Sequence, residues 1–253
     1  MTDKPENVLI TGAAKRIGRA IAHDFAKQGW GVAIHYRQSG KEAGKLRDDI
    51  RRDGGRAICI GADLANTGEI SSLVETACRD LGPLTTLINS ASIFEEDSLA
   101  TLTPESWAAH IDTNLRAPLF LTQAFVNQLP RHQKGNIINL IDQRVWRLTP
   151  RFLSYTASKA GLWTLTQTLA QGLAPHVRVN AIGPGPVLTN ERQKEADFEA
   201  QVKATLLQRG PELDEICQAI RFILAAPSMT GQMIALDGGQ HLAWATPDAI
   251  GPE

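Results

Sequence analysis

Seven short apolar runs alternate with eight longer amphipathic stretches, and few architectures can accommodate that order. The runs lie at 8–11, 31–36, 57–61, 84–89, 136–141, 177–182 and 232–236. The amphipathic stretches lie at 17–28, 41–52, 69–81, 107–114, 118–129, 155–173, 197–208 and 214–225. The runs are continuously apolar, which suits strands covered on both faces. Strand–helix alternation predicts βαβ units and a parallel sheet. Right-handed crossovers then wind the chain both ways from the centre. The expected class is α/β: one domain over 1–253, a doubly wound parallel sheet with helices on both faces. No linker or repeat divides it. The ends, about 1–6 and 245–253, are expected to be loose.

In open sheets of this kind ligands bind beyond the carboxyl ends of the strands. Functional residues are therefore expected just after Thr11, Tyr36, Gly61, Asn89, Ile141 and Ile182. A formal net charge of -1 gives no whole-chain attraction to nucleic acid or to an anionic membrane. No segment has the length of a membrane span, and no long apolar stretch precedes the first strand. Cys59, Cys78 and Cys217 are far apart, so neither a zinc site nor a redox pair is signalled, and no metal is expected. The cysteines read as buried or half-buried small apolar residues. The expected location is the reducing cytoplasm.

After the first strand comes Thr11-Gly12-Ala13-Ala14-Lys15-Arg16-Ile17-Gly18. Glycine and small residues let the backbone approach a pyrophosphate seated on the N-terminus of the next helix. An ordinary turn could look the same, but a strand before and a helix after are the context that a Rossmann-type nucleotide loop needs. A carboxylate about twenty residues on would hold the ribose 2′-OH of NAD. Here the chain reads His35-Tyr36-Arg37-Gln38-Ser39, with no acid. Imidazole, phenol, guanidinium and hydroxyl groups replace it, and Arg16 adds a second cation. Guanidinium forks match phosphate oxygens. NADPH, with its 2′-phosphate, is the expected cofactor; the alternative is that both arginines are merely solvated.

Tyr155 and Lys159 are four residues apart and share one helix face. A phenol titrates near pH 10 unaided. A neighbouring ammonium is expected to bring it nearer working pH and make Tyr155 a proton donor. Alone, this pair also fits an exposed helix turn.

With these motifs in order, the chain resembles the short-chain dehydrogenase/reductase family over nearly its whole length. The shared features are the 11–18 loop, Asp63-Leu64, Asn89-Ser90-Ala91, Asn114, Tyr155/Lys159, Pro184-Gly185 and Leu236-Asp237-Gly238-Gly239. The resemblance implies that Tyr155 donates the proton. Lys159 would bind the nicotinamide ribose, and Asn114 would hold a water in the proton relay. The loop through Pro184, Gly185 and Val187 would cover the nicotinamide, and a homotetramer would form through the long helices. The family's serine is missing: Asp142 stands in its place. An ionised carboxylate only accepts hydrogen bonds, which is unfavourable beside a ketone oxygen. It suits a ring amine or imine, whose nitrogen must be protonated as hydride arrives.

In this respect the chain is similar to pteridine and dihydromonapterin reductases. That likeness implies roles for Arg16, Ser92, Phe94, Asp142 and Tyr155 in binding a pterin-like substrate. Phe94 would stack on the flat ring, the alternative being a loop aromatic packed into the core. Glu191, Arg192 and Lys194 are read as solvated charges. Arg144, Trp146 and Arg147 lie near the expected site without an assigned role. His23, His110, His132 and His176 are read as structural or surface residues without partners. The expected activity is NADPH-dependent reduction of a dihydropterin-like substrate. Two rivals remain: a carbonyl or 3-oxoacyl reductase, and a protein that senses NADPH without turnover.

Overall fold

A computed structural model describes residues 6–189 and 194–244. Seven parallel strands form one sheet in the order β3-β2-β1-β4-β5-β6-β7. They are β1 (Asn7–Ile10), β2 (Gly31–Tyr36), β3 (Arg56–Gly61), β4 (Thr86–Asn89), β5 (Gly135–Leu140), β6 (Val177–Pro184) and β7 (Met233–Leu236). The order reverses between β1 and β4, so the crevice opens where the two halves diverge.

The helices are α1 (Arg16–Lys27), α2 (Gly40–Arg52), α3 (Thr67–Leu81), α4 (Pro104–Ile111), α5 (Ala117–Gln128), α6 (Leu153–Leu173), α7 (Glu195–Lys203) and α8 (Leu213–Ala225). Strand side chains alternate between two cores. Val8, Ile10, Val32 and Ile34 face Ile21 and Phe25 of α1, Leu46 of α2, and Ile216 and Ile220 of α8. Leu9, Ala33, Leu87 and Ile137 face Ile70 and Leu73 of α3 and Leu121 and Phe125 of α5. Each such valine, leucine, isoleucine or phenylalanine, fully buried, contributes about 1.5–3 kcal/mol. Burial on both faces is why the strands read as unbroken apolar runs.

Three local differences from the sequence expectation have visible causes. The helix expected to reach 208 stops at Lys203. Thr205 Oγ1 bonds back to the Val202 carbonyl, and Leu207 N–H turns away to the Gly238 carbonyl. The helices expected at 107–114 and 118–129 are α4 and α5, joined by a π-helical turn over Asp112–Arg116. Finally, Glu6 is not loose, because its carbonyl accepts a hydrogen bond from Gly31 N. The other expected loose residues, and Glu191 and Arg192, lie outside the described residues. Among the described residues no helix is long and apolar enough to cross a membrane, and no metal-binding cluster forms. Cys217 is buried, and Cys59 and Cys78 are half-buried, all as free thiols.

Candidate active site

The nucleotide loop is stitched to its neighbours by side chains. Thr11 Oγ1 accepts from Ser90 N and Ala91 N, each at 3.0 Å. Gly12 has φ +64°, and a Cβ there would lie 2.8 Å from Ala91 Cα. A Cβ on Gly18 would lie 2.5 Å from the Gly12 carbonyl oxygen, so only glycine lets α1 pack so close. Lys15 precedes α1 without a side-chain cap, which leaves the first amides of the helix open to an anion.

His35 departs from expectation. It is buried rather than turned toward a phosphate. Gly12 N donates to its Nδ1 at 3.1 Å, and its Nε2 lies 3.1 Å from the Ala62 carbonyl. The proton therefore sits on Nε2, and burial lowers the pKa and keeps the ring neutral. His35 joins the ends of β1, β2 and β3.

Beyond β2 and β3 lies a hollow lined by Arg37, Gln38, Gly61, Ala62, Asp63 and Glu69. Arg37 is exposed there. The Tyr36 ring borders Gly40 and Gly61, and Ser39 precedes α2, its carbonyl accepting from Ala43 N while its hydroxyl makes no cap. Asp63 accepts from Ala65 N, and Leu64 is buried beneath. Lys15 pairs with Glu42 on α2. Arg16 does not line the hollow. Its guanidinium donates to the carbonyls of Thr189, at 2.6 Å, and Leu188, at 3.1 Å. It clasps the segment after β6, so the expected pairing with Arg37 is corrected.

At the chemical centre, Asp142 follows β5. Its Oδ1 accepts from Arg144 N at 2.8 Å and caps the short 3-10 turn Gln143–Val145. Its Oδ2 accepts from Tyr155 Oη at 2.8 Å. Lys159, one turn along α6, donates from Nζ to the Leu140 carbonyl at 2.8 Å. Burial raises the pKa of Asp142 against the opposing pull of Arg144 N–H. Burial, then the charge of Asp142, pushes Tyr155 well above 10. Burial lowers Lys159 to about 8, opposed by Asp142. The expectation that Lys159 would draw the phenol toward working pH is therefore overturned. A carboxylate in direct contact and a dry setting outweigh an ammonium 5.8 Å from the ring centre.

Asn114 lies in the π-helical turn. Its Oδ1 accepts from Ile93 N, and its Nδ2 donates to the Ile93 carbonyl and to Ser158 Oγ. The side chain thus pins the loop after β4 to α6. Asn89 is likewise committed, donating to Asn139 Oδ1, while Asn139 donates to Thr166 Oγ1. Gly185 N donates to the Leu236 carbonyl, extending Pro184 and β6 along β7, and Val187 packs on the first core.

Ser92 and Phe94 sit exposed on the loop after β4. Phe94 is neither core nor isolated. It stacks on Phe152 at 4.5 Å and 4°, meets the Tyr155 ring edge-on at 4.6 Å, and stays 38% exposed. The Arg144 guanidinium lies 4.8 Å from the Phe152 ring centre.

Behind this shelf is a buried network that the sequence reading missed. Ser154 Oγ donates to Asp97 Oδ2 and meets His110 Nδ1 at 2.7 Å. Glu95 N donates to His110 Nε2. Of the two expected readings His110 is therefore the structural one, buried and, against expectation, partnered at both ring nitrogens. No spacing motif marks this set or Phe152; only the position of Phe152 three residues before Tyr155 was available.

Residues 6–200 match the short chain dehydrogenase family. The chain belongs to that family. A 3-oxoacyl-[acyl-carrier-protein] reductase of Synechocystis is 32% identical to it over 91% of this chain and 95% of that one. Among solved structures, FolM alternative dihydrofolate reductase 1 of Brucella canis, complexed with NADP, is 48% identical. It covers 96% of this chain and 97% of its own, with a TM-score of 0.94. A blue fluorescent protein from a metagenomic library, in complex with NADPH, is 30% identical over 93% and 97%, with a TM-score of 0.87. The short-chain dehydrogenase fold thus accounts for the sheet order and for the position of Tyr155 and Lys159 beyond β5.

Proposed function

We propose that this short-chain dehydrogenase is an NADPH-dependent reductase of a dihydropterin-like substrate. One observation carries the reading: the Tyr155 hydroxyl is hydrogen-bonded to a carboxylate, Asp142, at 2.8 Å. The residues present fit the cofactor. The α1 N-terminus has no side-chain cap, Gly12 and Gly18 keep the loop close-packed, and the hollow beyond β2 carries Arg37 with no acid at 37–39; its two acids, Asp63 and Glu69, come from beyond β3 and accept from the backbone N–H groups of Ala65 and Asp63. The N-terminal end of α1 and the 11–18 loop would hold the pyrophosphate, Arg37 the 2′-phosphate and Lys159 the nicotinamide ribose. The NADP held by the Brucella FolM structure supports this choice.

NADPH, when bound, supplies the hydride. The chain's own residues handle the proton. Reduction of a ring C=N bond breaks its π bond and forms one C–H and one N–H bond. Tyr155 Oη holds the proton for the nitrogen, and Asp142 Oδ2 fixes the direction of that hydroxyl. Asp142, the carboxylate that accepts from Tyr155, could also accept a ring N–H. Phe94 and Ser92 would border the ring. The same carboxylate would repel an alkoxide developing on a ketone.

A second reading, 3-oxoacyl reduction, is favoured by the Synechocystis relative. The deciding assay is NADPH oxidation by the purified protein with a dihydropterin beside a β-ketoester. Turnover of the pterin alone, lost in Asp142→Ala, is expected. Turnover of the ketoester alone would overturn the pterin reading. Binding of NADPH with no turnover of either would leave a sensor.

A further inference from the structure

The segment between Asp142 and α6 carries three arginines, and two have partners. Arg151 pairs with Glu96 at 2.5 Å, and Arg147 donates to the Gln240 carbonyl. Arg144 differs. Its guanidinium makes a single hydrogen bond, from Nη1 to Thr149 Oγ1 at 3.5 Å, and its Nε is buried without an acceptor. The group is nevertheless held in place. It rests over Phe152 at 4.8 Å and lies 5.8 Å from the Phe94 ring centre. A guanidinium stacked on an aromatic face spends its face and keeps its in-plane N–H donors free.

The aromatic groups form a path. The Tyr155 ring meets Phe94 at 4.6 Å, Phe94 stacks on Phe152, and Phe152 supports Arg144. A planar substrate reacting at Tyr155 would lay its substituent along this shelf, toward the unsatisfied fork. We infer that Arg144 is a specificity residue that binds a carboxylate on the side arm of the ring substrate. A carboxylate fills a guanidinium fork with two parallel hydrogen bonds. The inference rests on the pterin reading and narrows it: the preferred substrate is a pterin with an anionic arm rather than a neutral one.

Arg144 also neighbours Asp142 through its backbone N–H, so the test must separate substrate binding from service to Asp142. The NADP+ complex of the whole protein is titrated calorimetrically with folate, which carries carboxylates, and with neutral 6-methylpterin. Wild type is compared with Arg144→Met, which keeps an unbranched stem and the backbone N–H, and with Arg144→Lys. Arg144→Met is expected to weaken folate roughly tenfold or more, the order of a lost charge-assisted pair, and to flatten its salt dependence. Binding of 6-methylpterin should hold within about twofold. Arg144→Lys should lie between for folate, and serves alone if the methionine variant does not fold.

Equal loss of both ligands would overturn the inference and leave Arg144 as a support for Asp142. So would folate binding that ignores the substitution. NADPH oxidation separates this from the parent reading. Turnover of neutral and anionic dihydropterins with equal KM retains the reductase and removes Arg144. Folate binding that depends on Arg144, without turnover of any dihydropterin, retains Arg144 and removes the reductase.

Discussion

The proton between Tyr155 and Asp142 rests on the phenol. Asp142 raises the pKa of Tyr155, while the hydrogen bond from Tyr155 holds that of Asp142 down against burial. Removing the carboxylate should therefore let Tyr155 ionise at lower pH. The chain has only two tyrosines, so a Tyr36→Phe background isolates the signal. In that background Asp142→Asn should bring the tyrosinate absorbance step to lower pH. An unmoved step would show that burial alone sets the phenol. Tyr155→Phe should lower kcat by about 10²–10⁴, the usual contribution of a positioned acid. Lys159 adds a pH limit of its own. Burial penalises its charged form, so the ammonium persists below about 8 and is lost as pH rises through that value. Activity that needs the ammonium should fall on the alkaline side near there. Asp142 supports that charge, so Asp142→Asn should move the limb to lower pH. A limb that moved upward would contradict the assigned geometry. The identity and spacing of Tyr155, Lys159 and Asp142 were plain in the sequence. The sign of the phenol's shift was not, because it depends on which neighbour touches the hydroxyl and how dry the site is.

At the scale of the element, α6 starts where another part of the chain caps it. Phe152, in a left-handed conformation at φ 58°, makes no side-chain cap. The Asp97 carbonyl instead accepts from Phe152 N and Leu153 N, and Asp97 Oδ1 accepts from Ser154 N. Residue 97 is far from α6 in sequence, so no local capping pattern could announce it. The strands were legible for the opposite reason: 31–36 is apolar on both faces and matches β2 residue for residue. The same contacts tie the loop bearing Phe94 to the helix bearing Tyr155. Asp97→Ala removes the cap on Ser154 N and one of the two partners of Ser154 Oγ, which is left with His110 alone. It should cost roughly 2–4 kcal/mol in urea unfolding. Through the freed loop it should also raise KM for the ring substrate more than it lowers kcat. Stability loss with an unchanged KM would confine Asp97 to folding.

At the scale of the molecule, the proposed function would put the nucleotide loop after β1, the ribose end after β2 and β3, and the reacting end after β4, β5 and β6. His35 and Arg16 brace this division from either side. His35 was legible only as a polar group near the cofactor, since its tie to Gly12 exists only once β1 and β2 lie side by side. The tetramer implied by family resemblance would have to cover apolar surface such as Leu119 and Phe120 on α5, both partly exposed. If α5 contributes to the interface, Phe120→Asp should lower the mass seen by light scattering. Cofactor choice is also a property of the whole fold, because a ligand bound only by the native state raises its stability. A nucleotide at a hundred times its Kd adds about 2.7 kcal/mol. At equal concentrations NADPH should therefore raise the thermal midpoint more than NADH does, with the 2′-phosphate on Arg37 supplying the difference. A charge-assisted contact of this kind contributes about 1.5–3 kcal/mol. Arg37→Ala should remove most of the advantage of NADPH and leave the NADH shift nearly intact. An equal loss for both cofactors would mean that Arg37 supports the loop rather than the phosphate. An advantage that survives Arg37→Ala would move the 2′-phosphate to another cation, with Lys15, which now pairs with Glu42, the next to replace.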